Sequence, residues 1–180
     1  FHSMLNKSKI FWVNQPNPMG FGDAVKHAGS FVGNDDFLVT AGDTLLPTGD
    51  KIIRKLLNSK LQGENDAIIL LKKVSNPKRF GVAVITEEKN KIKVINVEEK
   101  PEKPKSNLSI VALYRFRPSI IKALKEIKPE KTELQLTSGI QKLIDWGGNV
   151  SAIILDEKDQ VIDIGTADSY LETIIRYKAI

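Results

Sequence analysis

Apolar and polar positions along this chain follow two rhythms, one helical and one extended. Residues 9–14 carry the β-favouring run Ile10, Phe11, Trp12 and Val13, which predicts a strand. Asn17-Pro18-Met19-Gly20 follows as a turn. Ala24, Val25 and Ala28 then share one face of a helix predicted over 21–32. Residues 36–41 form a short apolar run ending at Gly42-Asp43, the pattern of a buried strand that delivers a loop. Ile52, Ile53, Leu56 and Leu57 fall on one face of an amphipathic helix within 50–61, and 66–72 reads as another buried strand. This alternation predicts an α/β fold with parallel strands.

The second half changes rhythm. Residues 80–86 and 91–98 read as strands joined by a polar segment containing Asn90, an antiparallel pair. Pro101 and Pro104 interrupt regular structure, and 108–116 is a long strand. Pro118 suits the first turn of a helix whose apolar stripe is Ile120, Ile121, Leu124 and Ile127. A further helix over 137–146 stops at Gly147-Gly148. Short strands over 150–155 and 160–164 precede a last helix, capped by Thr166 and running to about Lys178. There is no internal repeat, low-complexity tract or linker.

Composition narrows the class. With 180 residues, 41% hydrophobic and 27% charged, the chain has the size and balance of one globular domain. No apolar stretch is long enough to span a bilayer, so no membrane partner is expected. The absence of cysteine excludes disulfides and thiolate metal sites and fits a reducing compartment; a cytoplasmic protein is expected. The net charge of +5 raises nucleic-acid binding, but its lysines, such as Lys72, Lys89, Lys103 and Lys122, are scattered rather than interleaved with aromatics. A solvated surface, or a positive cleft for a small anion, accounts for them, and no nucleic-acid partner is expected.

In open α/β sheets ligands gather at the carboxyl ends of strands. Gln15, Asp43 and Asp163 are predicted at such ends. Each has a plain alternative: Gly42-Asp43 as a turn, Asp163 as a solvent-facing acid between Ile162 and Ile164, Gln15 as a solvated loop residue. Lys100, in Glu98-Glu99-Lys100-Pro101, either forms a surface ion pair or is aimed into a cleft by the proline that follows. Gly20 and Gly22 flank a helix start, where a phosphate or a base can approach the backbone. His2 and His27, the two histidines, have no metal-ligand spacing and no serine partner.

Five segments together resemble the sugar-phosphate nucleotidyltransferases, which include glucose-1-phosphate uridylyl- and thymidylyltransferases. They are Gln15-Pro16 with Pro18-Met19-Gly20-Phe21-Gly22-Asp23-Ala24-Val25; Ala41-Gly42-Asp43; Phe80-Gly81-Val82; Glu98-Glu99-Lys100-Pro101 with Ser106-Asn107-Leu108; and Glu133-Leu134-Gln135-Leu136-Thr137 with Asp163-Ile164-Gly165-Thr166. The resemblance runs from about Ile10 to Tyr177. It implies a Rossmann-like fold, a mixed and mostly parallel sheet flanked by helices, in one domain over 1–180. Residues 10–75 would form its nucleotide side and 76–180 its sugar-phosphate side.

The implied activity is transfer of a nucleotidyl group from UTP or dTTP to a hexose 1-phosphate, with glucose 1-phosphate and UTP favoured. Gln15 and the backbone at Gly20 would read the pyrimidine, the amide offering both a donor and an acceptor. Asp43 and Asp163 would hold Mg²⁺ against the phosphates. Lys100 would contact the sugar phosphate, Glu99 and Glu133 the sugar hydroxyls, with Gly81 and Asn107 also in the sugar site. Ala112 stands where the family commonly has glycine and Ser138 where it commonly has aspartate. The family's Gly-x-Gly-Thr-Arg-like triphosphate loop does not occur before Gln15. The resemblance therefore implies an N-terminally incomplete domain, inactive alone, completed by an N-terminal segment or by self-association into a homo-oligomer. The alternative is a non-catalytic subunit that binds a nucleotide-sugar.

Overall fold

The computed structural model describes residues 7–47, 49–59, 61, 65–88, 91–128 and 133–178. His2, Asn90 and residues 1–3 lie outside them. Two short helices open the described fold, α1 (Phe21–His27) and α2 (Gly29–Val32), followed by β1 (Phe37–Thr40), β2 (Thr44–Leu45) and α3 (Gly49–Asn58). Next come β3 (Ala67–Lys73), a 3₁₀ turn (Pro77–Arg79), β4 (Gly81–Glu88), β5 (Lys91–Glu99) and β6 (Leu108–Phe116). The chain ends in α4 (Ser119–Glu126), α5 (Leu136–Asp145), β7 (Val150–Ile154), β8 (Ile162–Asp163) and α6 (Ala167–Lys178).

Six strands form one sheet in the order β1-β6-β3-β7-β5-β4, and β2 pairs with β8 in a separate ribbon. The sheet is mixed, as expected, but the predicted excess of parallel pairs is not found. Among the described strands, β3–β7 is the parallel pair; β1–β6, β3–β6, β4–β5, β4–β6 and β5–β7 run antiparallel. The reason lies in β6. Strands β1 and β3, joined through α3, do point the same way, but β6 returns between them and runs against both.

Strand β3 shows why the layers form. Ala67, Ile69 and Leu71 face one core with residues of α1, α4 and α5. Ile68 and Leu70 face a second core with Ile52 and Leu56 of α3. A strand buried on both faces needs an unbroken apolar run, and Ala67-Ile68-Ile69-Leu70-Leu71 supplies it. On β6, Tyr114 and Phe116 enter the first core while Val111 and Leu113 enter the second. Between Ile69 and Leu70 the β3–β6 register jumps, so that Ala112 and Leu113 are the extra residues of β6. Such a bulge bends a strand and re-aims its side chains.

Two further expectations change. Residues 9–14 are not a strand: Ile10, Phe11 and Val13 are exposed and Trp12 is 94% exposed. β-propensity reflects packing on a half-buried sheet surface, and no described strand pairs with this segment. The segment's visible anchor is Phe11 against Phe31, with ring centroids 4.8 Å apart. The strand near 36–41 is present but alternates between half-buried and exposed, because β1 is the last strand on its side of the sheet. On α3, Ile52 and Leu56 are buried while Leu57 turns to solvent.

Candidate active site

Asp43 and Asp163 are brought together by the β2–β8 ribbon. Thr44 stands opposite Asp163, and the Ile164 N–H donates to the Asp43 carbonyl at 2.8 Å. Both aspartates line a cavity of about 740 Å³ whose wall also holds Thr40, Lys72 and Ala112. The bulge in β6 thus sits in this wall. Lys72 leaves the end of β3, and its Nζ donates to the carbonyl of Asp159, tying the strand to the loop before β8. Both carboxylates are exposed, and among the described residues neither is ion-paired. Gly165 leaves room for one of them: a Cβ there would lie 3.1 Å from Asp163 Oδ1.

A second cavity, of about 260 Å³, is lined by Gly81, Glu99, Lys100, Gln135, Thr137 and Asp163. It adjoins the first, since Phe21, Phe80, Ile110 and Asp163 belong to both walls. Lys100 is the one non-glycine residue with positive φ among those described, at 43°, and its N–H donates to the Phe80 carbonyl at 3.1 Å. This left-handed conformation is costly for a side chain and persists where the surroundings fix it. No ion pair joins Lys100 to Glu98 or Glu99 among the described residues. Lys100 is exposed and lines this cavity and a neighbouring surface pocket with Lys78 and Lys103.

Three polar groups of this region were not singled out from sequence. Thr137 Oγ1 donates to Glu99 Oε2 and holds the carboxylate at the cavity wall. Tyr114 is buried in the same wall; burial pushes its phenol well above the usual range and the nearby Glu99 charge adds to the effect, so it stays protonated. Lys72, with Lys73 after it, closes an otherwise apolar strand. The available signals were weak: Ala112, Tyr114 and Phe116 alternate along one strand face, and a threonine at a helix start usually caps.

Gln15 and Gly20 lie beside these cavities rather than in their walls. Gln15 Nε2 donates to Asp23 Oδ2 at 2.8 Å and to the Gly20 carbonyl at 3.2 Å. Gly20 has φ 98°, and a Cβ on it would meet the Leu134 carbonyl oxygen at 2.8 Å. Met19 and Gly22 hydrogen-bond the backbone of Leu134, at 2.6 and 2.9 Å. This lacing places Phe21, which lies between Gly20 and Gly22, in both cavity walls. Asn107 and Glu133 are exposed and line neither cavity. The Asn107 carbonyl is engaged by the Val74 N–H, and Gln135 Nε2 holds Glu133 Oε2 at 2.8 Å.

Comparison with known proteins now decides the family. The nucleotidyl transferase family model matches residues 5–179. The chain belongs to this family. A glucose-1-phosphate thymidylyltransferase of Streptomyces antibioticus is 36% identical over 149 residues, 82% of this chain and 40% of that protein. A UTP–glucose-1-phosphate uridylyltransferase of Mycoplasma genitalium is 40% identical over 144 residues, 75% of this chain and 49% of that protein. The chain thus spans less than half the length of these curated relatives. The fold of a UDP-glucose pyrophosphorylase, solved with UDP-glucose, superposes with a TM-score of 0.86 at 24% identity, covering 99% of this chain and 69% of that one. The structure of a UDP-glucose pyrophosphorylase from Acinetobacter baumannii matches with a TM-score of 0.71 at 30% identity, over 92% of this chain and 58% of that one.

For a nucleotidyltransferase the donor set is informative. No cluster of three or more histidine, aspartate or glutamate side chains suited to a metal exists among the described residues. Asp43 and Asp163 offer two exposed carboxylates on one cavity. Two hard oxygen donors on an open cavity suit a hydrated Mg²⁺ and do not build a closed protein cage.

Proposed function

We propose that this chain carries the transfer of a nucleotidyl group from UTP, or dTTP, to a hexose 1-phosphate, glucose 1-phosphate in first place, with release of pyrophosphate. The observation that carries the reading is the convergence of Asp43 and Asp163 on one cavity that adjoins the Glu99–Lys100 cavity. An acceptor phosphate in the second cavity would then lie beside a nucleotide phosphate in the first.

Asp43 and Asp163 would hold Mg²⁺, which supplies charge neutralisation at the reacting phosphates. Lys100, its backbone pinned to Phe80, would fix the phosphate of the sugar so that its oxygen attacks the α-phosphorus in line with departing pyrophosphate. Glu99, held by Thr137, and the bare backbone of Gly81 would orient the sugar hydroxyls; Asn107 and Glu133, outside the cavity walls, would have to reach the sugar from the surface. Gln15 and Gly20 would meet the base. The protein's work is positioning and charge stabilisation, with no covalent intermediate on the chain. The division into a nucleotide side, 10–75, and a sugar-phosphate side, 76–180, follows the same reading.

The test is exchange of labelled pyrophosphate into UTP with Mg²⁺ and UDP-glucose as the nucleotidyl donor, on this chain and on one extended at its N-terminus. Exchange by either, reduced about 10²–10³-fold in Asp43→Asn or Asp163→Asn, supports the reading. No exchange by either, with UDP-glucose still bound, favours the non-catalytic binding subunit. No helix among the described residues is long and apolar enough to cross a membrane. Self-association is proposed through the exposed Ile10–Val13 segment and the β1 edge. A compact monomer in sedimentation at high concentration contradicts it.

A further inference from the structure

The Gln15 amide is already committed. Its nitrogen carries two hydrogens; one goes to Asp23 Oδ2 at 2.8 Å and the other to the Gly20 carbonyl at 3.2 Å. Asp23 is 5% exposed and is held as an anion by Lys26 Nζ at 2.5 Å and His27 Nε2 at 3.3 Å. An ionised carboxylate and a peptide carbonyl both only accept. Turning the Gln15 amide over would therefore aim its oxygen at two acceptors and strand the nitrogen's hydrogens. The orientation is fixed by chemistry, and Gln15 Oε1, which accepts none of the hydrogen bonds seen among the described residues, is the atom left for a ligand. This narrows the expectation from sequence, in which the amide offered a donor and an acceptor together.

We propose that Asp23 is a positioning residue that holds Gln15 with its oxygen alone available, so that the site selects a base presenting a ring N–H, as uracil and thymine do, over cytosine. The inference rests on the reading that Gln15 meets the base. At the corresponding ring position cytosine carries a lone pair, which faces Gln15 Oε1 as acceptor against acceptor. Leaving such a pair unsatisfied on binding costs enough to shift a preference about tenfold or more. Replacing Asp23 by asparagine supplies a donor to the amide, allows it to turn over, and removes the discrimination without removing Gln15.

The experiment compares UTP and CTP binding by the wild type, Asp23→Asn and Gln15→Ala, with the side-chain amide signals of Gln15 followed by NMR. The wild type should prefer UTP by about tenfold or more. Asp23→Asn should bring the two nucleotides within about threefold of each other, mainly through gained CTP affinity. In the wild type the two Gln15 amide protons should be well separated and slow to exchange. An unchanged UTP-to-CTP ratio in Asp23→Asn, with Gln15→Ala losing UTP, overturns this inference and leaves the base-reading role of Gln15 standing. Unchanged UTP affinity in Gln15→Ala overturns both. Should Asp23→Asn not fold, the wild-type spectrum still decides: degenerate, rapidly exchanging Gln15 amide protons contradict the proposal.

Discussion

Gly22 illustrates how one residue can carry a motif for a reason other than the expected one. In sequence, the glycines near the start of α1 suggest backbone open to a phosphate or a base. In the fold, a Cβ on Gly22 would lie 2.8 Å from the Leu134 oxygen and 2.9 Å from the Gln135 carbonyl carbon. The position serves the close approach of two backbone segments, both of which reach the cavities. Gly22→Ala should therefore destabilise the protein by about 1–3 kcal/mol, read as a lower urea midpoint, whereas a solvent-facing glycine would leave the midpoint unmoved. Asp23, its neighbour, was quoted in the motif without a role: helical spacing places Lys26 and His27 beside it, but nothing in a linear string shows that Gln15 also turns toward it. The Lys26 and Gln15 hydrogen bonds hold its carboxyl below the ordinary 3.8, against the opposing effect of burial. A depressed native pKa contributes stability that is present above the unfolded value and is lost as pH falls through the native one. The stability gap between wild type and Asp23→Asn should be full above pH 3.8 and close as pH drops below it. A gap independent of pH, followed by chemical denaturation, contradicts the ionised pairing.

At the scale of elements, legibility tracked how much of an element's fate is local. The strand over Leu108–Phe116 was readable in full because its apolar length far exceeds what a loop would carry. The end of α5 was readable because Gly147 adopts φ 80°, which its lack of a side chain allows. The stretch 9–14 was misread because strand propensity specifies a surface to pack and not the neighbour that provides it. The excess of parallel pairs was misread for a related cause: which strand enters between β1 and β3 depends on contacts between residues far apart in sequence. The cap of α6 is local and was legible. Thr166 Oγ1 accepts from the Ser169 N–H at 3.1 Å, and Ser169 Oγ returns a bond to the Thr166 carbonyl at 3.0 Å. Thr166→Ala should cost about 1 kcal/mol, seen as faster amide exchange in the first turns of α6 with β3 and β6 unaffected. Unchanged exchange there would show that α6 does not depend on its cap.

For the whole molecule, the arrangement that matters joins residues remote in sequence. Asp43 follows β1 and Asp163 lies in β8, and neither has local features that separate a ligand carboxylate from a turn or a solvated acid. Their resemblance to family motifs suggested a shared site, and the β2–β8 ribbon is the physical means by which they meet. The wall around them depends on long-range structure too: the bulge at Ala112 and Leu113, the reach of Lys72 to Asp159, and the buried Tyr114. The most direct measurement of the account uses Mn²⁺ as a paramagnetic stand-in for Mg²⁺, added with UTP to the isotopically labelled protein. The backbone amide signals of Thr44 and Ile164 should broaden together, and both effects should disappear in Asp43→Asn and in Asp163→Asn. Broadening that survives both substitutions, or that centres on residues away from the β2–β8 ribbon, would contradict it.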